Sequence, residues 1–384
     1  MKIAVIGQGY VGFPLAKLAA RSGFKVIGYD TNSNVINSLD NSEANLELTD
    51  DERLLKDCQI YVIAVPTPLD AAGKPDLSYV IKASKTLAKY AVSGSLVINE
   101  STSYPGTLRE VIMPIVAPSG SSILFASAPE RIDPLNKNWN LKNTARVIGG
   151  LTQEASRKAE QFYTTFCEHV HTVSSPEVAE SAKLLENTFR QVNIAFINQF
   201  TQIMDKLSIP VHEVIEAANT KPFGFMKFIP GLGVGGHCIP IDPIYLAEKA
   251  ESAGAPASLI RSADLINIQM SKFVMDKAIR LLGSDLSGKK VCIVGLSYKS
   301  DISDLRSSPS LALWDLLEAV KAQVSYHDSF HPTFRGMNSA DLSTSQFDVA
   351  IVATRHSDLN TSQLISSSKL ILDCTGTIAG AHWL

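Results

Sequence analysis

The chain has 384 residues, of which 45% are hydrophobic and 19% are charged, and its formal net charge is -3. This length exceeds that of one ordinary domain, so two or three globular domains with sizeable cores are expected. The small net charge and the lack of a basic run argue against a nucleic-acid or membrane-surface partner. No apolar stretch of the sequence is long enough to cross a bilayer.

The first region alternates short apolar segments with longer helical patterns. Its predicted strands are Lys2 to Ile6, Lys25 to Tyr29, Ile60 to Val65, Leu96 to Asn99 and Ile123 to Ala126. This alternation is typical of a parallel sheet with crossover helices, the doubly wound class. The N-terminus lacks the longer apolar stretch and the cleavage site of a signal peptide, so it is interpreted as a buried first strand.

A glycine turn follows the first predicted strand. Gly7, Gly9 and Gly12 have the spacing of a dinucleotide-binding fingerprint, and Asp30 ends the next strand. The glycines permit a tight turn, close approach of a pyrophosphate and packing of helix on strand, and the helix N-terminus faces the phosphates. A carboxylate at Asp30 would bind a ribose 2′-hydroxyl and repel a 2′-phosphate, which favours NAD over NADP. The alternative is a glycine turn without a cofactor.

Two polar loops follow later strands of this region, at residues 100–106 and 128–131. Doubly wound sheets bind their ligands at the carboxyl ends of the strands. Thr102 and Glu130 are therefore candidates for contacts with a ligand, and roles in capping or turns are the alternative.

The pattern changes near residue 174, where one long helix is predicted from Pro176 to about Lys206 with Ser175 as its N-cap. Helical spacing places four polar residues on one face: Glu180, Lys183, Asn187 and Arg190. Such a face is usually solvated. Apolar residues flank it at Leu184, Leu185 and Phe189. The flanking residues indicate instead a partly buried stripe that faces a neighbouring domain.

Residues 230–243 contain four glycines, then the isolated Cys238, then Asp242. The glycines let the backbone pass close to a ligand, so the cysteine is interpreted as a nucleophile at a substrate pocket. The other cysteines, at positions 58, 167, 292 and 374, are interpreted as buried small hydrophobes. Their number and spacing indicate neither a disulfide framework nor a metal site, which predicts free thiols in a reducing cytoplasm.

A helical middle region is predicted to continue to about Leu282, and a second strand–turn–helix opening follows at Val291 to Leu296. Further predicted strands are Gln323 to Tyr326, Val349 to Ala353 and Leu370 to Asp373. The predicted fold class is α/β, with two Rossmann-like doubly wound domains joined by a long central helix and a helical connector domain. The predicted boundaries are 1–175, 176–284 and 285–384.

Seven motifs occur in a characteristic order along the chain. They are Gly7-x-Gly9-x-x-Gly12, Val65-Pro66-Thr67-Pro68, Ser101-Thr102-x-x-Pro105-Gly106-Thr107, Pro129-Glu130-Arg131, Lys183-x-x-x-Asn187-x-Phe189-Arg190, Gly235-Gly236-His237-Cys238-Ile239-Pro240-x-Asp242-Pro243, and Gly295-Leu296-x-Tyr298-Lys299 with Asp304-x-Arg306-x-Ser308-Pro309. With these motifs, the chain resembles the nucleotide-sugar 6-dehydrogenases, the UDP-glucose/GDP-mannose dehydrogenase family, over essentially its whole length. The resemblance implies that residues 1–175 bind NAD, 176–284 serve dimerisation and catalysis, and 285–384 bind the UDP-sugar.

The resemblance also implies a four-electron oxidation of a sugar C6 alcohol to a carboxylate, with two NAD⁺ consumed and no free aldehyde released. Cys238 would add to the C6 aldehyde as a thiohemiacetal, which loses a second hydride to give a thioester that water hydrolyses. Lys183 and Asn187 would stabilise negative charge on the C6 oxygen. Asp242 would transfer protons through a water and Lys183. The products would be uronic acids for surface polysaccharide.

Further site residues follow from the same resemblance. Glu130 is a candidate general base for the hydrolysis, and Thr102 would position the water. The implied NAD contacts are Gly7, Gly9, Tyr10, Val11, Gly12, Asp30, Pro66, Thr67, Thr102 and Arg306. The implied substrate contacts are Glu130, Arg131, Lys183, Asn187, Arg190, Lys221, Gly233, Gly235, Tyr298 and Lys299. Lys221 would come from the neighbouring subunit of a homodimer that has the long helix at its interface.

Subfamily features favour an N-acetylated UDP-hexosamine, with UDP-N-acetylglucosamine first. Segments 220–226, 236–243 and 129–134 resemble the UDP-N-acetylglucosamine 6-dehydrogenase branch. UDP-N-acetylmannosamine, UDP-N-acetylgalactosamine and UDP-glucose stay open, because one contact can decide a C2 substituent. Two features depart from the family pattern. Segment 41–57 is short, which could change the adenosine side of the NAD site, and Leu135 stands where this branch commonly has glycine.

Two other functions stay open. A two-electron dehydrogenase of the hydroxyacid or phosphogluconate type would share the two-domain plan but would have no use for the Cys238 thiol. A binding-only paralogue would sense a nucleotide sugar without turning it over. NAD turnover distinguishes the paralogue from an enzyme, and the number of NADH formed per sugar distinguishes the two enzymes.

Overall fold

The structure is a computed structural model that describes residues 1–40, 42–118, 122–132, 136 and 138–384. Within these residues the chain separates into two compact units. The first unit comprises residues 1–186 and 244–255, and the second comprises 187–243 and 256–384. The three domain boundaries expected from the sequence stay a prediction.

The described strands and helices follow the chain in a regular alternation. The strands are β1 (Lys2–Ile6), β2 (Lys25–Tyr29), β3 (Leu46–Thr49), β4 (Ile60–Ile63), β5 (Leu96–Asn99), β6 (Leu124–Ser127), β7 (Arg146–Gly150), β8 (Val170–Thr172), β9 (Lys290–Val294), β10 (Gln323–His327), β11 (Thr333–Phe334), β12 (Met337–Asn338), β13 (Phe347–Val352), β14 (Ser368–Asp373) and β15 (His382–Trp383). The helices are α1 (Gly12–Arg21), α2 (Ser33–Ser38), α3 (Ser78–Leu87), α4 (Met113–Val116), α5 (Gln153–Tyr163), α6 (Pro176–Leu207), α7 (Val211–Asn219), α8 (Asp242–Ser252), α9 (Ser258–Leu282), α10 (Pro309–Ala319) and α11 (Thr361–Ser367). A 3₁₀ turn at Glu52–Leu55 and a π-helical turn at Leu108–Ile112 complete the set.

The first unit is built on a sheet with the strand order β3-β2-β1-β4-β5-β6-β7-β8. Its neighbours pair in parallel except β6 and β7, which are antiparallel. Ile6 at the end of β1 lies opposite Tyr29 of β2 and Ile63 of β4. The loops that follow these strands therefore start from one edge of the sheet, the position at which doubly wound sheets bind ligands.

The core of the first unit forms where helices cover this sheet. Ile3 and Val5 of β1 pack in one cluster with Leu15 of α1 and Phe162 of α5, and all four are buried. Burying each such side chain stabilises the fold by about 2 kcal/mol. The alternating strand and helix pattern of the sequence is thus the pattern of this core.

The second unit has its own parallel sheet, in the order β10-β9-β13-β14-β15, and a small antiparallel pair, β11 with β12. Trp314 of α10 is fully buried against Met270 and Val274 of α9 and Ile293 of β9. The two sheets confirm the predicted fold class, with two Rossmann-like units and a long central helix.

Helix α6 has 32 residues and begins at Pro176, as predicted. The Ser175 hydroxyl oxygen accepts a hydrogen bond from the backbone N–H of Val178 at 3.4 Å, which confirms Ser175 as the N-cap. Proline is tolerated at the first helical position because the N–H it lacks would have no helical partner there. Residues 176–186 of α6 belong to the first unit and 187–207 to the second.

Several strands differ from the prediction. β3 and β8 were missed because they carry one buried residue and none, so they show no apolar pattern. β7 was missed because it contains Arg146 and two glycines, which are uncommon in strands. β4 ends at Ile63 because the N–H of Val65 donates to the Ser101 hydroxyl at 2.9 Å.

The remaining boundary differences are small. β6 is displaced by one residue, β10 extends to His327, and β13 and β14 begin before the predicted starts. β11, β12 and β15 were not predicted, since each is two residues long. Among the helices that the structure describes, none has the length and apolar character needed to cross a membrane.

Candidate active site

The glycine turn of the first unit has the shape that the sequence predicts. Gly7 has a φ of 91°, and a Cβ there would lie 2.4 Å from the backbone oxygen of Ala64. A Cβ at Gly12 would lie 1.9 Å from the oxygen of Gly7, so helix and strand pack at the closest approach. A Cβ at Gly9 would meet nothing within 4 Å, which leaves that side of the turn open for a ligand.

Asp30 is tied to this turn by its carboxylate. Oδ2 accepts the N–H of Gln8 at 2.9 Å, and Oδ1 accepts the N–H of Asn32 at 2.9 Å. The Val11 N-cap of α1 supplies no side-chain cap to the N–H groups of the first turn. A helix start without a side-chain cap, an open glycine and a half-exposed carboxylate suit the pyrophosphate and ribose of NAD, so these residues fit that cofactor.

The loops after β4 and β5 lie at the same edge of the sheet, because these strands are neighbours. Pro66 is exposed, Thr67 is buried and Thr102 is half-buried. The Tyr245 hydroxyl donates to the carbonyl oxygens of Pro68 at 3.0 Å and Asp76 at 3.2 Å, which fixes the first loop. The loop with Pro66 and Thr67 thus follows the strand next to β1, and the loop with Thr102 follows one strand further along the same sheet edge.

Glu130 is almost fully buried in the loop after β6. Its Oε1 accepts the N–H groups of Arg131 at 2.6 Å and Ile132 at 2.8 Å, and its Oε2 lies 2.5 Å from Nη2 of Arg146. Both oxygens of this carboxylate are thus held by donors. Sequence reasoning missed Arg146, although a charged residue within an otherwise apolar strand was a signal for a buried ion pair.

The polar face of α6 divides between two roles. The Glu180 carboxylate accepts the N–H of Gly106 at 2.7 Å, the N–H of Leu108 at 3.1 Å and the Ser127 hydroxyl at 2.9 Å. Burial raises the pKa of Glu180 to about 7, against the opposing effect of these donors. Glu180 therefore attaches α6 to the first unit and is not aimed at a ligand.

The other polar residues of that face differ in exposure. Lys183 and Asn187 are each only 8% exposed, whereas Arg190 is exposed. Of the flanking apolar residues, Leu184 is buried and Leu185 and Phe189 are exposed. The predicted partly buried stripe is confirmed for Lys183, Leu184 and Asn187, whereas Leu185, Phe189 and Arg190 are exposed.

Arg131, a predicted substrate contact, is paired within the first unit. Its Nη2 lies 2.6 Å from Oε1 of Glu186, and Nη1 donates to the carbonyl oxygen of Ala145 at 2.7 Å. The remaining predicted features of this loop, Asp133, Pro134 and Leu135, lie outside the described residues, as does Asn41 of the shortened segment. The rest of that segment holds β3 and the 3₁₀ turn.

Cys238 is exposed in the second unit, whereas the four other cysteines are buried. The Cys238 carbonyl oxygen accepts the N–H of Ile241 at 3.1 Å and the N–H of Asp242 at 2.9 Å, which turns the chain into α8. Asp242 is buried, and its Oδ2 accepts the Asn187 side-chain N–H at 2.5 Å. The structure thus joins three predicted catalytic residues, Cys238, Asp242 and Asn187.

The two glycines nearest to Cys238 are packed too tightly for side chains. A Cβ at Gly235 would lie 2.6 Å from Cβ of Tyr298, and one at Gly236 would lie 2.8 Å from the Tyr298 ring. The N–H of Gly236 donates to the carbonyl oxygen of Arg306 at 2.9 Å. Burial, followed by the nearby Arg306 charge, lowers the pKa of His237, which keeps that ring neutral.

Two asparagines that sequence reasoning missed hold the start of the same run. The Asn198 side chain accepts the N–H of Gly231 at 3.0 Å and donates to Asn267 at 3.0 Å. Gly233 has a φ of 134°, and a Cβ there would lie 2.7 Å from the carbonyl oxygen of Asn267. A buried amide at a helical core position was the available signal for Asn198.

A cleft of about 250 Å³ opens beside the glycine run. Its lining includes Gly231, Gly233, Tyr298, Thr354, Cys374 and Thr375. The two threonines follow β13 and β14, so they lie at the carboxyl ends of adjacent parallel strands, the position that such sheets offer to ligands. Sequence reasoning identified Gly233 and Tyr298 but neither threonine.

Three further predicted site residues are Lys221, Lys299 and Arg306. Lys221 is exposed, and its Nζ lies 4.9 Å from the ring centre of Phe223. Lys299 is half-buried in the loop after β9. Arg306 forms a two-pronged contact with Asp304, with Nη2 at 2.6 Å from Oδ2 and Nε at 3.0 Å from Oδ1.

Three models of one protein family match the chain in succession. The NAD binding domain of the UDP-glucose/GDP-mannose dehydrogenase family matches residues 1–48 and 41–167, the central domain 177–269 and the UDP binding domain 292–379. Together these matches span most of the chain.

Individual proteins are similar over nearly their full length. Protein CapL of Staphylococcus aureus is 34% identical, with 98% of this chain and 96% of CapL covered. UDP-N-acetyl-D-glucosamine 6-dehydrogenase of Salmonella typhi is 33% identical, with coverages of 93% and 90%. The solved structure of a UDP-D-ManNAc dehydrogenase from Pyrococcus horikoshii superposes with a TM-score of 0.88 at 32% identity, covering 100% of this chain and 98% of that chain.

Proposed function

Because the chain belongs to the UDP-glucose/GDP-mannose dehydrogenase family, a family of NAD-dependent nucleotide-sugar dehydrogenases, we propose that it oxidises a UDP-N-acetylhexosamine at C6 to the uronic acid. The sequence features at 220–226 and 236–243 favour UDP-N-acetylglucosamine as the substrate. UDP-N-acetylmannosamine is the second candidate, since a relative with a TM-score of 0.88 is a UDP-D-ManNAc dehydrogenase.

The observation that carries this proposal is the exposed Cys238 next to a buried carboxylate–amide pair. Cys238 holds the N–H of Asp242 with its carbonyl oxygen, and Asn187 holds the Asp242 carboxylate. A nucleophilic thiol beside groups that can move a proton and bind an oxyanion is the set required for aldehyde capture. A two-electron alcohol dehydrogenase has no use for that thiol.

The Gly7 turn and Asp30 would hold NAD⁺, which would supply the hydride acceptor for each of the two oxidations at C6. Between them, the Cys238 sulfur bonds to C6 of the aldehyde, and the thiol proton passes to the C6 oxygen. Transfer of that proton to Asp242, through Lys183 and a water, and loss of the second hydride leave a thioester. A water oxygen then bonds to C6, the C–S bond breaks and the thiol is regenerated.

Lys183 and Asn187 are assigned to the developing negative charge on the C6 oxygen. They stand four residues apart on α6, so they occupy adjacent turns of one helix face. Both are nearly buried, and a cation and an amide donor stabilise an oxyanion more strongly where water is excluded. Asp242 is assigned to proton transfer through a water and Lys183.

The hydrolysis step is assigned to the first unit. Glu130 takes a proton from the attacking water, and the Thr102 hydroxyl orients that water. Since two N–H groups and a guanidinium hold the Glu130 carboxylate, it must loosen one of these contacts to accept the proton.

The UDP moiety is assigned to the cleft of the second unit. Tyr298 and the backbone of Gly233 and Gly235 line or border this cleft, and Lys299 follows in the same loop. Arg131, Arg190 and Lys221 are retained as substrate contacts, with Lys221 supplied by a neighbouring subunit. Arg306 is retained as an NAD contact.

A homodimer through α6 is part of the proposal. In the second unit α6 exposes the apolar side chains of Phe189, Phe196, Ile203 and Leu207, with exposed fractions from 48% to 62%. Large apolar side chains repeated along one helix mark a surface that another protein covers. A reducing cytoplasm is the proposed compartment, because the Cys238 thiol must stay unoxidised.

The test is to count NADH formed per limiting UDP-N-acetylglucosamine or UDP-N-acetylmannosamine and to weigh the product. We expect two NADH and a uronate for one of these sugars. One NADH per sugar would show a two-electron dehydrogenase, and NAD-dependent turnover of neither these nor other UDP- or GDP-sugars would favour the binding-only paralogue.

The variant Cys238→Ser tests the thioester route. We expect it to abolish steady-state uronate formation, a loss of at least about a thousandfold, while NAD binding by the first unit is unchanged. Cys58→Ser, a change at a buried cysteine outside the proposed chemistry, is the control. Uronate formation by Cys238→Ser at a near-normal rate would contradict the thioester route.

A further inference from the structure

A cluster of ionisable side chains lies behind the loop that carries Glu130. Glu130 is 7% exposed, Arg146 is 3% and Glu100 is 1%, and Tyr163 is fully buried. Burying charged groups costs several kcal/mol for each ion unless partners offset it. Apart from Glu130, none of these residues has a part in the function proposed above.

The contacts in this cluster converge on one guanidinium. Arg146 Nη2 lies 2.5 Å from Oε2 of Glu130, and Nη1 lies 3.5 Å from Oε2 of Glu100. Nη1 also donates to the carbonyl oxygen of Ala128 at 3.2 Å. The guanidinium stacks over the Tyr163 ring at 4.9 Å, and the Tyr163 hydroxyl donates to Oε1 of Glu100.

Three of the four side chains come from firmly placed positions. Glu100 directly follows β5, Arg146 is the first residue of β7, and Tyr163 is the last residue of α5. Glu130 stands three residues beyond the end of β6, whereas Glu100 adjoins the end of β5 directly. A loop carboxylate held by a strand residue, whose own partners lie at the end of a strand and of a helix, is a preorganised arrangement.

We propose that Arg146, itself held by Glu100 and Tyr163, is a positioning residue that sets the orientation and release of the Glu130 carboxylate during thioester hydrolysis. This inference rests on the proposed function, in which Glu130 takes the proton of the attacking water. In that step the water oxygen bonds to C6 and its proton passes to Glu130. The C–S bond breaks, and the Cys238 thiolate recovers the proton from Glu130.

The charge of Glu100 controls how tightly Arg146 grips Glu130. Burial raises the pKa of Glu100 to about 7; the Arg146 charge opposes this rise, and the Glu130 charge adds to it. With Glu100 neutral, the guanidinium pairs with Glu130 alone. With Glu100 ionised, the guanidinium is shared, and Glu130 is freed to accept a proton. Hydrolysis should therefore quicken as the pH rises through the titration of Glu100.

The groups that face Glu100 account for this titration. They are Arg146, Glu130 and the Tyr163 hydroxyl, and the buried Cys167 thiol faces Arg146 and Tyr163. The pKa of the Cys167 thiol is raised by burial, so this thiol stays neutral across the same range. Glu100 thus changes charge near neutral pH.

The experiment uses the full-length protein with Arg146→Lys and Tyr163→Phe, and with Glu130→Gln as reference. Tyr61→Phe is the matched control, because Tyr61 is equally buried and also donates its hydroxyl, to the carbonyls of Leu55 and Tyr90. Each protein is mixed rapidly with NAD⁺ and UDP-N-acetylglucosamine or UDP-N-acetylmannosamine, whichever the unchanged protein oxidises. NADH is followed with time, and the intact protein is weighed after an acid quench.

We expect the two cluster variants to form two NADH per chain at the rate of the unchanged protein. Steady turnover should then fall about tenfold to a hundredfold, because a misplaced base slows only its own step. The quenched protein should carry the acyl group on Cys238. Tyr61→Phe should behave as the unchanged protein in both phases.

A pH series supplies a readout that a merely structural role would not move. In Tyr163→Phe the ionised form of Glu100 loses a hydrogen-bond donor, so the pH midpoint of the hydrolysis phase should rise by about one unit. Tyr61→Phe should leave this midpoint in place.

Two results would overturn the inference. One is normal steady turnover in both Arg146→Lys and Tyr163→Phe. The other is equal slowing of the NADH burst and of steady turnover, with no acyl protein. If Arg146→Lys fails to fold, Tyr163→Phe decides alone. Absence of acyl protein in Glu130→Gln would instead contradict the role of Glu130 as the base in the proposed function. This result differs from the two results that would overturn the role of Arg146.

Discussion

Each of the two units has a glycine turn after its first strand, but the surroundings of the two turns differ. In the first, Gly7 follows β1 with a φ of 91°, and Asp30 at the end of β2 accepts the next N–H, that of Gln8, at 2.9 Å. In the second, Gly295 follows β9 with a φ of 85°, and Asp328 accepts the N–H of Leu296 at 2.7 Å. The turns are alike in glycine conformation and in the aspartate that secures them.

The two turns differ in the other groups that contact the aspartate. Asp328 is 1% exposed and lies 3.2 Å from Nε2 of His356. The N–H of Asp301 donates to Nδ1 of that ring, so Nε2 carries the hydrogen and donates to Asp328. Burial alone would raise the pKa of Asp328, but the His356 and backbone donors hold it below its usual range. Asp30, by contrast, is half-exposed.

The helices that follow the turns complete the contrast. α1 begins at Gly12, inside the glycine motif, so its N-terminal N–H groups lie at the turn. α10 begins only at Pro309, and Ser308 caps its first turn by accepting the N–H of Ser310 at 3.3 Å. In the first unit a helix thus starts inside the turn without a side-chain cap, whereas in the second the turn is separated from a capped helix. A shared turn shape does not by itself indicate a shared ligand.

The largest expected effect on this comparison comes from Gly295→Ala. A Cβ there would lie 2.0 Å from the backbone oxygen of Thr354 at a left-handed φ, so we expect a loss of about 4 kcal/mol of unfolding free energy. Gly9→Ala is the counterpart, since its Cβ meets nothing. It should leave stability unchanged and weaken NAD binding. Urea unfolding and NAD titration measure both, and a stable Gly295→Ala protein would refute the tight packing of this turn.

A second pair of variants separates the two aspartates. Asp328→Asn should cost about 2 to 3 kcal/mol, because an amide nitrogen then faces the N–H donors that the buried carboxylate satisfied. Asp30→Asn should cost under about 1 kcal/mol yet weaken NAD binding about tenfold and relax the discrimination against NADP. Equal losses of stability in the two variants would show that Asp30 and Asp328 contribute equally to the stability of their turns.

The smallest expected effect is on the pH dependence of stability. Glu180 has a folded pKa of about 7, above its ordinary value. The stability it contributes is full below the unfolded pKa and is lost as the pH rises through 7, by about 2 kcal/mol between pH 5 and pH 7. Asp328 acts oppositely: its depressed pKa gives stability that is lost only as the pH falls below its ordinary value. Unfolding followed separately in each unit, with Glu180→Gln as control, measures the difference. A slope retained in that variant would contradict the assignment.

What the sequence predicted correctly depends on short-range patterns. The glycine spacing of residues 7–12, the Ser175 cap of α6 and the placement of Cys238 after a glycine run are all local in the chain. Such patterns report backbone conformation directly, because turns and caps depend on a few adjacent residues. The paired sheets followed from the alternation of apolar strands and helices in the same way.

What escaped prediction depends on contacts distant in sequence. Glu180 and Lys183 share a helix face, yet Glu180 binds the π-helical turn near Gly106, a partner that spacing cannot reveal. Arg146 and Glu130 form a buried pair between a strand and a loop. The identity of a buried polar residue predicts that a partner exists but does not say which one.

The five thiols differ in burial, so a thiol reagent can distinguish Cys238 from the other four. Burial raises the pKa of Cys58 to about 11 and of Cys292 to about 12, and raises those of Cys167 and Cys374 as well. Because thiolates are the reactive form, an alkylating reagent should modify Cys238 alone in the folded protein. The amount of reagent incorporated would then measure the fraction of chains with a reactive Cys238. Protection of Cys238 by a bound sugar nucleotide would measure the fraction of chains that hold this ligand.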